Sequence, residues 1–103
     1  MVVDEPTSPV VTLTALELIN RVAADNGWSV ISTWYGEYHL IKRYGRWPVY
    51  IEVRYSPSHG VHSARRIVEF TERRVNEWPF VEVGHVGPNT TGRRAAAIRW
   101  LKS

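Results

Sequence analysis

The sequence contains no cysteine, only two lysines and no long apolar run, and each shortage excludes a class of structure or chemistry. Without cysteine the chain has no disulfide, no thiol nucleophile and no cysteine-based zinc site. No apolar stretch approaches the ~18 residues that a membrane-spanning helix requires. Residues 1–11 lack a basic region followed by an apolar segment, so we expect no secretory signal and a cytoplasmic location.

The length of 103 residues, with 44% hydrophobic and 22% charged residues, is typical of one globular domain. Residues 1–11 hold two prolines and predict a flexible leader, and residues 12–103 then form a single α+β domain. The basic charge is almost entirely arginine and is uneven along the chain. Residues 61–103 carry eight basic and four acidic groups, whereas residues 1–60 carry five and six. The net charge of +3 permits an anionic partner without requiring one.

The first predicted element is a helix over about residues 13–26. Thr14 and Glu17 have the spacing of a capping box, in which each side chain accepts from a free backbone N–H. Apolar residues follow at helical spacing, and Asn26-Gly27 supplies the stop, because glycine adopts the left-handed conformation at little cost.

Alternating β-branched and aromatic residues then predict a meander of three strands, at 28–34, 37–44 and 47–55. Tight turns are expected at Tyr35-Gly36 and Gly45-Arg46. If Tyr44 lies opposite Trp47, favourable charge pairs form across the strands, namely His39 with Glu52 and Glu37 with Arg54. The same register stacks Leu40 on Ile51 and Tyr38 on Val53.

In that register both faces of the sheet are apolar, and a sheet of this kind needs cover on both. One face would be the core, with Tyr38, Leu40, Ile51 and Val53. The other would carry Trp28, Val30, Trp34, Ile41 and Tyr50 together with His39, Arg43 and Arg54. Its cover is the C-terminal helix, a second copy of the chain, or a partner. The predicted partner-binding residues are Trp34, Ile41, Tyr50, Arg43 and Arg54.

Residues 61–78 fit two patterns. Apolar residues from Ala64 to Trp78 trace a helical stripe, but Val61 to Phe70 also fit a fourth strand after the turn at 56–60. As a strand, the segment would set Ala64 opposite Val53, Arg65 opposite Glu52, Val68 opposite Val49, and Arg66 less favourably opposite Ile51. We favour the strand, with a further short strand at 80–83.

A C-terminal helix is predicted over about residues 91–102, capped by Asn89-Thr90-Thr91. The arginines of this helix, together with the doublet Arg65-Arg66, form a candidate surface for binding the phosphates of a nucleic acid. The residues of this alternative nucleic-acid site are Arg65, Arg66, Arg93, Arg94, Arg99 and Lys102. Glutamates near the two arginine doublets Arg65-Arg66 and Arg73-Arg74 instead suggest a solvated face.

The sequence offers little for catalysis or metal binding. His39 beside Glu52 would suit a general base oriented by a carboxylate, but an ordinary surface pair has the same pattern. His59 and His62 have metal-ligand spacing, yet two histidines are too few for a structural zinc site. No glycine-rich phosphate loop or serine nucleophile motif is present. We therefore expect no enzymatic activity, no cofactor, no metal and no membrane partner.

Several short motifs resemble those of small orphan proteins encoded by actinobacteriophages. They are Gly27-Trp28 before the meander, the Val61-x-x-Ala64 step, and the Thr91-Gly92-Arg93-Arg94 helix that ends in Trp100-Leu101-Lys102. That resemblance implies a small protein acting on a host macromolecule, most directly a host protein. The chain also resembles HicA-type mRNA interferase toxins, whose α-β-β-β-α fold is similar to a double-stranded-RNA-binding domain; the helical alternative for residues 61–78 would give that order. Their Gly-Ser-His segment falls here on Gly36-Glu37-Tyr38, with His39 one residue later.

Three functions therefore stand as expectations from the sequence. The first is a binding protein that contacts a host protein or a second copy of itself. The second is nucleic-acid binding through the basic C-terminal half. The third is a degenerate HicA-like ribonuclease that uses His39.

Overall fold

A computed structural model of the chain describes residues 13–34, 37–71 and 77–103. The predicted leader at 1–11 and the predicted turn at Tyr35-Gly36 lie outside the described residues. The elements are α1 (Ala15–Asp25), β1 (Ser29–Trp34), β2 (Tyr38–Arg43), β3 (Val49–Tyr55), β4 (Val61–Glu69), β5 (Phe80–Val86) and α2 (Arg93–Lys102). This confirms the α+β class, with a helix at each end of an antiparallel meander.

The five strands pair in chain order, each antiparallel to its neighbours. The strand alternative for residues 61–69 is confirmed, and the helical alternative is wrong there. Residues 72–76, which the helical stripe included, lie outside the described part of the chain. The short strand predicted at 80–83 extends to Val86, because β4 pairs with it as far as that residue.

The two helices begin differently. Thr14 caps α1 as predicted: its hydroxyl accepts from the Glu17 N–H, and the Glu17 carboxylate accepts from the Thr14 N–H at 2.9 Å. Gly27 follows α1 with a φ of 80°, as a left-handed stop requires. The predicted cap of α2 is wrong, because Gly92 is its N-cap and no side chain caps it. The Thr90 hydroxyl accepts instead from the N–H of Gly87.

The predicted pairing of β2 with β3 is wrong by one residue. Ile41, not Leu40, lies opposite Ile51, and Arg43 lies opposite Val49, so the connecting turn is one residue longer than predicted. The observed register brings Ile41, Ile51 and Val53 to full burial on one face. Burying such side chains stabilises by roughly 1.5–3 kcal/mol each. Cross-strand charge pairs give about 0.2–1 kcal/mol each, so burial decides the register.

The predicted pairing of β3 with β4 is confirmed. Ala64 lies opposite Val53, Arg65 opposite Glu52, and Val68 opposite Val49. Arg66 lies opposite Ile51, as the prediction also required.

Both helices cover the same face of the sheet. Ile19 of α1 and Leu101 of α2 join the fully buried Ile41, Ile51 and Val53 in one core. The two helices also pack on each other. Neither of these helices, the only two in the described ranges, is long and apolar enough to cross a membrane. Since α2 lies beside α1, no described helix covers the opposite face, which we call the open face.

Trp28 holds the end of α2 against the start of β1. Its buried indole N–H donates to the Leu101 carbonyl at 2.8 Å. The Arg43 guanidinium lies over the Trp28 ring, 4.6 Å from its centre, and donates to the Ser103 carbonyl at 2.7 Å. A hydrogen bond, a cation–π contact and the packing of the ring thus act at one point.

Replacing Gly84 with alanine should destabilise the fold, because the new Cβ would lie 2.9 Å from Cζ2 of Trp100 on α2. Overpacking against a rigid ring typically costs about 1–3 kcal/mol. The matched control is Gly45→Ala, since a Cβ there meets nothing within 4 Å. Urea unfolding of both variants measures the difference. Equal stability of the two variants would contradict this packing.

Candidate binding groove on the uncovered sheet face

A groove of about 420 Å³ runs across the open face. Apolar and aromatic residues form most of its lining: Tyr38, Leu40, Tyr50, Ile67, Trp78 and Phe80. Three charged residues complete it: Glu52, Arg65 and Glu82. We call this the open-face groove.

The strands bring these residues together because successive side chains of a strand point to opposite faces. Each of β2, β3, β4 and β5 contributes two residues spaced by two, such as Tyr38 and Leu40 on β2. Val83 is an extra, unpaired residue of β5, and this bulge shifts the register between Arg66 and Ile67 so that Ile67 lies opposite Glu82. Trp78 lies just before β5 and forms one end of the groove.

The floor of the groove holds a hydrogen-bonded charge cluster around Glu52. Its carboxylate accepts from the Tyr38 hydroxyl at 2.7 Å and from Arg65 Nε at 2.9 Å. Burial acts to raise the pKa of Glu52, but these two hydrogen bonds outweigh it and hold that pKa below 4.5. Burial, with the bond to Glu52, raises the pKa of Tyr38 to about 12. The floor is therefore a fixed, charged structure at neutral pH.

Arg65 also approaches Glu82, with Nη1 at 3.5 Å from the carboxylate. One guanidinium therefore serves two carboxylates. The contact of Arg65 with Glu52 is short, whereas its contact with Glu82 is long. The Glu82 side chain is 44% exposed. The charged residues that line the groove sum to −1.

Aromatic rings form the wall beside this cluster. Phe80 contacts Tyr50 and Trp78 edge-on, with ring centres 5.9 and 5.4 Å apart. The Tyr50 hydroxyl donates to Glu69 at 2.8 Å, so the polar end of this ring is satisfied. Trp78 is 73% exposed. The wall offers ring surface to a ligand rather than unsatisfied polar groups.

The five predicted partner-binding residues do not form one surface. Tyr50 lines the open-face groove, while Trp34 and Arg54 line a neighbouring depression with Tyr38. Ile41 has no exposed surface. Arg43 lies on the covered side, bonded to Ser103. The grouping of Ile41 and Arg43 with Tyr50 is wrong, because the one-residue change in register moves both to the helical face.

His39 does not pair with Glu52. It lies opposite Val53 on the covered face, is 4% exposed, and packs edge-on against Tyr55 with ring centres 5.1 Å apart. Its Nδ1 is buried without a hydrogen-bond partner, and burial lowers its pKa below 6.5. A side chain so enclosed is out of reach of an RNA backbone. Within the described ranges no three His, Asp or Glu residues group as a metal site would require.

The six predicted nucleic-acid-binding residues lie on different surfaces. Arg65 is in the groove, and Arg66 lies opposite Ile51 on the covered face. Arg93 donates to the carbonyls of Val61, Pro88 and Thr90, which ties α2 to the sheet and to the preceding loop. The remaining three, exposed on α2 near Ile98, are Arg94, Arg99 and Lys102.

Several residues of the groove are not among the predicted site residues, chiefly Ile67, Trp78, Phe80 and Glu82. The available signal was the alternation of Phe80 and Glu82 in the short predicted strand. That signal becomes informative only when β5 is paired with β4, which sets Glu82 beside Ile67. Leu40 was predicted on the core face and lies in the groove instead.

No protein-family model, curated protein or solved structure matches this chain.

Replacing His39 with phenylalanine should flatten the pH dependence of stability. Below pH 6.5 an unfolded histidine takes up a proton, whereas buried His39 resists it, so its contribution is lost as pH falls through the lowered pKa. The wild type should lose up to about 1.4 kcal/mol per pH unit more than the variant. Chemical unfolding between about pH 7 and pH 5.5 measures this.

His62→Gln is the control, because His62 is exposed. This variant should keep the slope of the wild type. A His39→Phe protein with the same slope as the wild type would show that folding does not lower the pKa of His39.

Proposed function

We propose that this chain is a small cytoplasmic binding protein whose open-face groove receives a segment of a partner protein. The observation that carries the proposal is a sheet face left uncovered by either helix and lined by four aromatic residues, Tyr38, Tyr50, Trp78 and Phe80. Exposed aromatic clusters of this kind are enriched at protein interfaces and anchor them.

The chemistry of the groove favours a protein segment over nucleic acid. Among its described lining residues, Glu52 and Glu82 stand against one cation, Arg65, which is already bonded to Glu52, so the lining offers a phosphate two carboxylates. The tyrosine hydroxyls are already bonded to carboxylates, which leaves ring surface as the main contact. Apolar and aromatic side chains bury well on such a surface.

A host protein as the partner follows from the resemblance to small actinobacteriophage proteins. The groove supplies the kind of surface that such a protein would need. A HicA-like ribonuclease receives no support from the burial of His39 at 4% exposure. Self-association through this face is a competing use of the same groove and is separated from the proposal by the experiment below.

Photocrosslinking from the groove should capture one partner protein. We expect Trp78 replaced by p-benzoylphenylalanine to give a discrete adduct in actinobacterial cells, because Trp78 is exposed at the end of the groove. The adduct should survive nuclease and weaken when Tyr50→Ala is added. Mass spectrometry identifies the partner, and the same probe at Arg99 on α2 is the control.

Three outcomes would contradict the proposal. Adducts that form from position 99 but not from 78, or that disappear after nuclease, would indicate the nucleic-acid alternative on α2. An adduct whose only component is a second copy of this chain would indicate a homodimer.

The pure protein should not cleave RNA. Total RNA incubated with the wild type and with His39→Phe should remain equally intact on a denaturing gel. Cleavage by the wild type that the variant lacks would establish the ribonuclease alternative instead.

A further inference from the structure

We infer that the open-face groove recognises an arginine side chain of its partner, stacked on Trp78 and paired with Glu82. This inference rests on the proposed function and adds the chemistry of the ligand. It depends on two features of the groove, its charge and the arrangement of its rings.

Among the described residues that line the groove, two carboxylates share one cation. Arg65 is committed to Glu52 at 2.9 Å and reaches Glu82 only at 3.5 Å. Glu82 is the more exposed of the two carboxylates, at 44% against 14% for Glu52. Glu82 is therefore the carboxylate that an incoming cation can approach, and such a cation would give Glu82 a closer partner than Arg65 does.

The rings of the open face follow a pattern in which a cation lies over each tyrosine. Arg54 lies over Tyr38 at 5.2 Å, and Lys42 lies over Tyr44 and Tyr50 at 4.4 and 5.2 Å. Among the cations of the described ranges, none lies over Trp78, although indole is the best ring for this interaction. Trp78 is also 73% exposed, so a partner's cation can reach it.

Arginine satisfies both features better than lysine. Its planar guanidinium stacks on an aromatic ring and can offer a carboxylate two parallel N–H groups at the same time. Trp78, Phe80 and Glu82 all line the groove, and the rings of Trp78 and Phe80 are in contact. The remaining apolar lining, Leu40 and Ile67, would accept the side chain that neighbours the arginine in the partner segment.

The test is a titration of the isotopically labelled full chain with N-acetylargininamide, followed by NMR. The neutral isostere N-acetylcitrullinamide is the control ligand. We expect the arginine probe to shift the Trp78 indole and the Phe80 and Glu82 amides and to bind at least about tenfold more tightly than the citrulline probe. Glu82→Gln and Trp78→Ala should each weaken the arginine probe by about fivefold or more.

Asp25→Asn is the matched control variant, because it makes the same change of charge at an exposed residue outside the groove. It should leave the affinity unchanged, and the spectra of all variants report whether they are folded. The inference would be overturned if the two probes bound equally well, or if Asp25→Asn lost as much affinity for the arginine probe as Glu82→Gln. Chemical-shift changes centred on α2 would overturn it too. If the arginine probe fails while the Trp78 crosslink persists, this inference falls and the proposed function stands. If both fail, both fall.

Discussion

The pairing of Ile41 with Ile51 determines which side chains meet on each face of the sheet. Side chains alternate along a strand, so this single pair assigns every other residue of β2 and β3 to a face. His39 and Val53 follow it toward the helices, and Tyr38 and Glu52 turn to the opposite side. The core and the open-face groove are thus two results of one register. A change that shifted the hairpin by one residue would dismantle both together.

Much of the fold could be predicted because its signals are local. The capping box at Thr14 and the stop at Gly27 lie within the helix that they delimit. The pairing of β3 with β4 was also predictable, since Arg65 opposite Glu52 and Ala64 opposite Val53 fit only one register.

The length of the turn between β2 and β3 was not predictable from the same kind of pattern. Both faces of this hairpin carry apolar and aromatic side chains, so two registers each gave a plausible core. The wrong register was favoured by a charge pair between His39 and Glu52. The observed one is favoured by burial of Ile41 in a core shared with Ile19 and Leu101, which lie in helices distant in sequence. Contacts between residues so far apart in sequence leave no signal within the hairpin. The groove was not predicted for the same reason, because its lining comes from four strands.

Several arginines of the described ranges hold the fold together, and the exposed cations Arg94, Arg99 and Lys102 lie together on α2. Arg93 donates to three carbonyls around the start of α2, and Arg43 bonds the end of the same helix. Arg65 links two carboxylates across neighbouring strands. A guanidinium suits these positions because its planar fork bridges several acceptors at once. Net charge therefore says little here about the partner.

The hydrogen bond from Trp28 to Leu101 joins residues 73 apart in the chain, and this separation has a consequence for the order of folding. Every strand pairs with a chain neighbour, so the sheet closes only short loops on forming. The helical layer instead needs both α1 and α2, and closing so long a loop has a larger entropic cost. The meander can therefore form before its cover, with Ile41, Ile51 and Val53 still in contact with water. The packing of α1 and α2 then distinguishes the core face from the open face.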